Sequence, residues 1–401
     1  MRAAARPSSP YYDVIVVGAR VAGAATAMLL ARCGLRVLML DRTERGADTV
    51  STHTVLRLGL LQLQRWGLLE KVIESGAPPI RKVTLGFGGD LVPIELSPAF
   101  GIDALYAPRR TILDPILVDA AWEDGVDFLP ETRLIDVVWE GERVAGVVAD
   151  SGEEKFEVRS RFVVGADGVW SRTADRVGAR AYRSFPAVNA TYYAYYTGIE
   201  TDGLYFQFSE GVTAGLIPTN HDQVCVYVGW HKDRISDFRA DPDGAFLRQA
   251  ASGHTDLGQV LRNATRVSGY RGTPTGLPGF LRQPWGPGWA LVGDAGYTKD
   301  SISAHGISDA LRDAELGARA IHAAILNPAE EIEHMARYRL CRDRLSLSML
   351  EQSTRLGSYQ WDEAEASELM RSLSATVKTE CEAMIGLPSW PGVIERVPAM
   401  A

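Results

Sequence analysis

The stretch "DVIVVGARVAGAATAMLLA" (Asp13–Ala31) decides how the rest of the chain is read. Tyr12–Val17 is a short, β-rich apolar run of the kind that a sheet covers on both faces. Gly18 ends it, and Ala22–Cys33 follows as an alanine- and leucine-rich helix closed by Gly34. "RVLML" then makes a second buried strand that ends at Asp41. Strand, tight turn, helix and strand within about 30 residues make a crossover unit. Gly18 serves the turn, and Gly23 serves the close packing of helix on strand. Arg20 stands where the middle glycine of a G-x-G-x-x-G would let backbone approach a pyrophosphate. A guanidinium at that point can itself pair with phosphate. Asp41 is placed to hold an adenosine ribose diol. The frame points to a dinucleotide; the plain alternative is an ordinary β-α turn.

The bulk of the sequence narrows the classes. A chain of 401 residues buries a large core and has room for two or three associated domains. Its 46% apolar and 23% charged content is that of a soluble globular protein. A net charge of −8 argues against a broad electrostatic grip on nucleic acid or anionic lipid, though local arginines can still meet a small anion. Cys33, Cys225, Cys341 and Cys381 are scattered, with no C-x-x-C, and the histidines show no paired spacing, so no metal is expected. "MRAAARPSSP" has no apolar core behind its arginines and reads as a loose tail, not a secretory signal. No apolar run approaches the roughly 18–20 residues that cross a bilayer. A cytoplasmic protein without a membrane span is expected.

Along the chain, "VLRLGLLQLQRWGLLEKVIESG" (Val55–Gly76) is amphipathic at helical spacing. "PPIRKVTLGFGGDLVPIEL" (Pro78–Leu96) changes to period two around a Gly-Gly-Asp turn, a hairpin. "RTILDPILVDAAWEDG" (Arg110–Gly125) returns to helix, and alternating strands follow to about Val148. From Tyr182 to Trp230 the chain is aromatic, β-branched and punctuated by turns, as in an antiparallel sheet. After a charged helical stretch, "GWALVGDAG" is again a buried strand, and the last hundred or so residues read as helices.

Two more strand exits carry chemistry. In "VVGADGVWSRTA" (Val163–Ala174), Gly165 and Gly168 flank Asp167, which suits an acid held at a cofactor edge or a plain hairpin turn. In "LVGDAGYTKDSISAHGISDALRDAELGARAI" (Leu291–Ile321), Gly293 and Asp294 end a strand and a helix starts near Gly306–Ser308. Asp294 suits a polyol hydroxyl, and the amides of the helix start suit partial negative charge on a ring. The alternative there is a βα loop capped by Ser308 or Asp309.

These three stretches, in this order, resemble the flavoprotein monooxygenases of the para-hydroxybenzoate hydroxylase fold, over roughly residues 11–340. The resemblance implies FAD. It implies that Gly18, Ala22 and Gly23 surround the pyrophosphate, with Asp41 on the ribose and Arg42 beside the adenine. Arg57 would lie near the phosphates, Arg110 near the ribityl or phosphate region, and Asp294 on the ribityl chain. The amides of His305, Gly306 and Ile307 would face the pyrimidine edge of the flavin. The sequence departs from the family at Arg20, at Ser301 (usually proline), at Ala304 (usually glycine) and at Ala174 (usually arginine, with Arg172 and Arg176 nearby). The last change leaves direct use of NADH or NADPH open. No second G-x-G-x-x-G, no W-x-W-x-I-P of flavin halogenases and no Baeyer–Villiger signature is present.

The fold class expected is α/β: a discontinuous Rossmann-like FAD-binding domain (1–80, 100–180 and 265–340), an antiparallel β-sheet substrate domain (81–99 and 181–264), and a C-terminal helical region (341–401). Alternation puts Tyr193 and Tyr195 on one sheet face and Tyr192 and Tyr196 on the other. Tyr193, Tyr195, His53 and His305 are the catalytic candidates, the histidines because they titrate near neutral pH. The activity expected is insertion of one atom of dioxygen into a small aromatic or otherwise electron-rich substrate, a hydroxylation or epoxidation. Electrons would come from NADH, NADPH or a separate flavin reductase. The alternatives are a dehydrogenase or ene-reductase of the same fold, like the prenyl reductases, and a flavin-binding regulator without turnover.

Overall fold

Residues 6–252 and 257–394 are described by the computed structural model, so parts of the amino-terminal tail and of the 341–401 region lie outside the described residues. β1 (Tyr11–Val17), α1 (Val21–Arg32) and β2 (Val37–Leu40) form the crossover unit. α2 (Arg57–Arg65) and α3 (Leu69–Glu74) precede the hairpin β3 (Lys82–Phe87) and β4 (Asp90–Glu95). α4 (Arg110–Glu123), β5 (Asp127–Leu129) and the meander β6 (Arg133–Glu140), β7 (Arg143–Asp150) and β8 (Lys155–Gly165) follow, then α5 (Arg172–Arg176). The aromatic region gives β9 (Ala181–Phe185), β10 (Asn189–Thr197), β11 (Leu204–Ser209), β12 (Val212–Thr219) and β13 (Gln223–His231). Three helices, α6 (Ile235–Ala240), α7 (Pro242–Ala251) and α8 (Leu257–Asn263), lead to the short strands β14 (Thr265–Arg266), β15 (Arg271–Thr273), β16 (Gly279–Arg282), β17 (Trp285–Gly286), β18 (Trp289–Leu291) and β19 (Tyr297–Thr298). The chain ends in α9 (Gly306–Leu326), α10 (Glu331–Gly357) and α11 (Glu363–Ile385).

The first sheet runs β17-β18-β8-β1-β2-β5, with β18, β8, β1, β2 and β5 parallel and β6-β7 continuing from β8. Its central strands are apolar throughout because both faces are covered. Val14 and Val16 of β1 pack with α1, α4 and α9, while Ile15 and Val17 pack beneath the β6–β7 meander. The second sheet runs β14-β10-β13-β12-β11-β3-β4, so the early hairpin and the aromatic strands are one sheet. It is antiparallel except where β11 meets β3, and β14 and β15 extend it past residue 264. β9 pairs instead with β16 in a small third sheet. The fold is thus the expected α/β architecture with helices at the carboxy end.

Alternation along β10 sorts the tyrosines as predicted. Tyr193 and Tyr195 face the main core shared with α1 and α9, and Tyr192 and Tyr196 face a separate cluster with Phe238 and Phe246 of α6 and α7. One element departs from the reading: the 55–76 stretch is two helices, not one. Gly67 turns the chain with a φ of 71°, which only glycine adopts without cost. No helix among the described residues is long and apolar enough to cross a membrane.

Candidate active site

The three strand exits converge at the carboxyl ends of β1, β8 and β18. α1 starts at Arg20 with no side-chain cap and no acid in its first turn, which leaves its first amides for an anion. Gly18 and Gly23 are there for packing. A Cβ on Gly18 would lie 2.5 Å from the Ala166 carbonyl oxygen, and one on Gly23 would lie 1.7 Å from that of Gly18. Arg20 is half-buried; burial and then the neighbouring Arg110 hold its pKa below the usual range, with Asp114 and Asp41 opposing and Arg42 adding. Arg20, Arg42 and Arg110 therefore share one cationic patch. Its carboxylates are committed: Asp114 takes Arg110 in a two-pronged bond (2.7 and 2.9 Å), and Asp41 accepts from the Ala19 and Thr43 amides (2.7 and 2.8 Å). Arg57 does not join the patch. Its guanidinium donates to the Ser97 carbonyl at 2.9 Å.

Asp294 differs from the other acids. Its side chain is exposed to a cleft yet lies deep in the molecule, so burial raises its pKa while Lys299 and Arg110 oppose the shift. Gly293, beside it, adopts a φ of 56°, and a Cβ there would lie 2.8 Å from that of Ala22 on α1. α9 begins at Gly306 without a side-chain cap, and a Cβ on Gly306 would meet open space. Ala304, where the family has glycine, sits in the left-handed region with a φ of 51°. Asp167 is engaged locally: it accepts from Ser171 (2.5 Å) and from the amide and hydroxyl of Thr173 (2.9 and 3.1 Å), bracing the start of α5. Its sequence-based placement at a cofactor edge gives way to this turn.

His53, Tyr193 and Tyr195 come together under the second sheet. The His53 Nε2 is hydrogen-bonded to the Tyr195 hydroxyl, the two rings stack at 5.7 Å, and Tyr193 meets His53 edge-on at 6.3 Å. Tyr193 accepts from the Ser51 amide, so β10 and the 49–53 loop are tied. His53 has a φ of 67°, a strained conformation for a residue with a Cβ. Its Nδ1 is buried without a partner. Burial, then Arg109, Arg110 and Arg271, push the imidazole pKa well below its ordinary 6.5, so it is neutral at physiological pH and does not titrate near 7. Arg109, which sequence reasoning passed over for its neighbour Arg110, lies 3.5 Å over the Tyr195 ring.

His305 faces the other way. Its imidazole is buried and bonds Glu380 of α11 at 2.7 Å. Glu380 also takes Arg312, which pairs in turn with Asp309 (2.8 Å) and Asp313 (2.9 Å), while Lys299 pairs with Asp309. His305, Asp309 and Glu380 could surround a cation, since their ligand atoms lie within 4.8 Å of one another. Lys299 and Arg312 already supply that positive charge. The cluster is an ion-pair network behind the start of α9, so the side chain of His305 does not share the space of His53.

Between the second sheet and the 301–304 loop lies a cavity of 20 Å³, lined among others by Thr52, Asn189, Thr191, Thr213, Tyr227 and Ser301. The lining mixes hydroxyls with Phe206, Ile302 and Ala304, carries no charged residue, and encloses room for about one water.

Residues 11–325 match the family model described as FAD binding domain. The chain belongs to that family of FAD-dependent oxidoreductases. The site fits the cofactor: the uncapped start of α1 and the arginine patch suit a pyrophosphate, the uncommitted Asp294 suits the ribityl chain, and the open amides at Gly306 suit the flavin ring. Relatives of this flavoprotein divide by reaction. It is 26% identical over 306 residues to digeranylgeranylglycerophospholipid reductase 1 of Methanococcoides burtonii, spanning 75% of this chain and 72% of that one. It is 32% identical over 179 residues to 4-methyl-5-nitrocatechol 5-monooxygenase of a Burkholderia species, spanning 41% of this chain and 32% of that one. The myxobacterial chondrochloren halogenase CndH shares the fold, with a TM-score of 0.78 at 20% identity, covering 96% of this chain and 99% of that one.

Proposed function

We propose that this flavoprotein is a monooxygenase that inserts one oxygen atom of O2 into a small aromatic or otherwise electron-rich organic molecule, bound between the cofactor site and the second sheet. The aromatic inner face of the second sheet, where Tyr193 and Tyr195 meet His53, carries the reading. Bound FAD would supply the electron transfer and oxygen activation. The chain's own residues orient the substrate and exclude water. The uncharged His53 and Tyr195 form a fixed hydrogen-bonded pair under the second sheet, and Tyr193 pins the 49–53 loop to that sheet. Neither ring exchanges a proton near pH 7, because burial also raises the Tyr195 phenol. The division of the chain into an FAD part and a substrate part, with the second sheet as the latter, belongs to the same reading.

The relationship to digeranylgeranylglycerophospholipid reductase favours a second reading, reduction of a substrate double bond. Oxygen separates the two. Purified holoenzyme supplied with NADH, with NADPH or with a separate flavin reductase should consume O2 and place one 18O atom from 18O2 in a phenolic product. Substrate reduction under anaerobic conditions, with no label from 18O2 in air, would establish the reductase instead.

A further inference from the structure

Residues 47–52 belong to no helix or strand, and a left-handed residue stands on either side of them. Gly46 has a φ of 78° and His53 a φ of 67°. Both ends are seated. A Cβ on Gly46 would lie 3.1 Å from Pro115 Cγ of α4, and His53 is held to Tyr195 by its hydrogen bond and stacked ring. Between them the backbone is on its own: among the described residues, 48–54 make no backbone–backbone hydrogen bond.

Side chains of the second sheet hold the segment instead. The Asp48 carboxylate pairs with Arg271 of β15 at 2.8 Å. Arg109 stands 3.8 Å from the same oxygen but is taken by Gln223 of β13 at 2.9 Å, so Arg271 is the close partner. The Tyr193 hydroxyl accepts from the Ser51 amide at 3.2 Å and donates to the Thr49 carbonyl at 3.4 Å. Val50, between these contacts, is half-exposed. The segment starts just past Asp41, at the ribose end of the cofactor site. Near its other end Thr52 shares the small cavity with Ser301 and Ala304, just before α9. It thus runs from the ribose end of that site to the ring end.

A stretch without backbone hydrogen bonds opens at low free energy, and left-handed residues that carry a Cβ gather at switch regions. We propose that residues 47–52 are a flap, hinged at Gly46 and His53 and latched by Asp48, that lies along bound FAD and opens for the cofactor to enter or leave. Asp48 is then a positioning residue, acting through Arg271 rather than on the cofactor itself. The inference rests on the fit of the FAD site and is independent of the reaction that the flavin carries out.

The test uses two variants, Asp48→Asn and Arg271→Gln, which each remove the latch but change the local charge in opposite senses. Release of FAD from the holoenzyme on dilution and its rebinding to the stripped full chain are followed by flavin fluorescence. A gate slows both directions, so both rates should rise roughly threefold in both variants, the worth of one partly exposed ion pair, with the dissociation constant nearly unchanged. Hydrogen–deuterium exchange of the 48–52 amides should quicken in both, while that of α2 stays at the parent level. Faster release with unchanged rebinding overturns the proposal, because Asp48 would then hold FAD itself. Rebinding rates that move in opposite directions overturn it too, since that is the mark of long-range charge. So do rates equal to the parent's, with or without a loss of thermal stability, which is what a merely structural role would give. Where one variant does not fold, exchange of the 48–52 amides in the other decides, since charge steering does not move it.

Discussion

Asp41, Asp167 and Asp294 looked alike in the sequence, each an acid at the end of a buried strand, and the structure separates them by what their carboxylates already hold. Asp41 holds the Ala19 and Thr43 amides, and Asp167 holds Ser171 and Thr173. Asp294 has no hydrogen bond among the described residues and opens on the cleft. Asp294→Ala should therefore lower FAD affinity by one to two decades with the fold intact, because a charge-assisted hydrogen bond is worth about 1.5–3 kcal/mol. Flavin fluorescence on dilution of the holoenzyme measures this, and an unchanged dissociation constant would remove Asp294 from the cofactor site. Gly18 and Gly23 were legible because a tight turn and a close helix demand glycine wherever they occur. The hydrogen-bonded group of Asn189, Thr213 and Tyr359 was not: it forms only across the fold, and a lone tyrosine in "LGSYQWD" carries no spacing signal. The likeness of His305 to a cofactor-facing base also came from its place in a loop, and only packing shows that its ring turns to Glu380.

Among elements, strands were read best, since a period of two fixes which face each side chain takes and β10 obeys it. The break between α2 and α3 was missed because the apolar period continues through Gly67 while the backbone does not. The short turn Ser301–Ser303, which carries the cavity's lower wall, shows how an element can be tuned by one buried group. Asp300 caps it by accepting from the Ile302 amide at 3.0 Å, takes Asn189 at 2.8 Å, and lies against Gly357. Burial pushes its pKa up to about 6 from 3.8, with the Asn189 and Ile302 bonds opposing. The folded state thus holds this proton more tightly than the unfolded chain does. The resulting stability is complete below pH 3.8 and is lost as pH rises through 6. Asp300→Asn keeps an oxygen for both donors and has no charge to bury. It should be more stable than the parent at pH 7.5, by about 2 kcal/mol, with the gain shrinking toward pH 4.5. Denaturant melts at the two pH values decide it; a variant equally destabilised at both would show that Asp300 is not the buried charge described.

At the scale of the molecule, the carboxy-terminal helices complete a site that the amino-terminal motifs only begin. The family match ends at residue 325, and amphipathic helices beyond it offer no motif to read, yet α11 supplies Glu380 to a network that reaches the loop before α9. Glu380 is buried with His305 and Arg312, and Lys299 and Asp309 lie in the same cluster. Such a network is costly to open on one side, because the partners keep their charge without water. Glu380→Ala should cost about 3–5 kcal/mol. By contrast, Arg371→Ala on the same helix removes a pair with Glu368 that is largely exposed, and surface pairs of that kind contribute about 0–1 kcal/mol. If the network also sets the position of the Gly306 amides, FAD occupancy should fall in Glu380→Ala and stay at the parent level in Arg371→Ala. Thermal melts together with bound-flavin absorbance read both effects. Equal behaviour of the two variants would mean that α11 merely packs against the site, and a stability loss with full FAD occupancy would confine the network to holding the helices together.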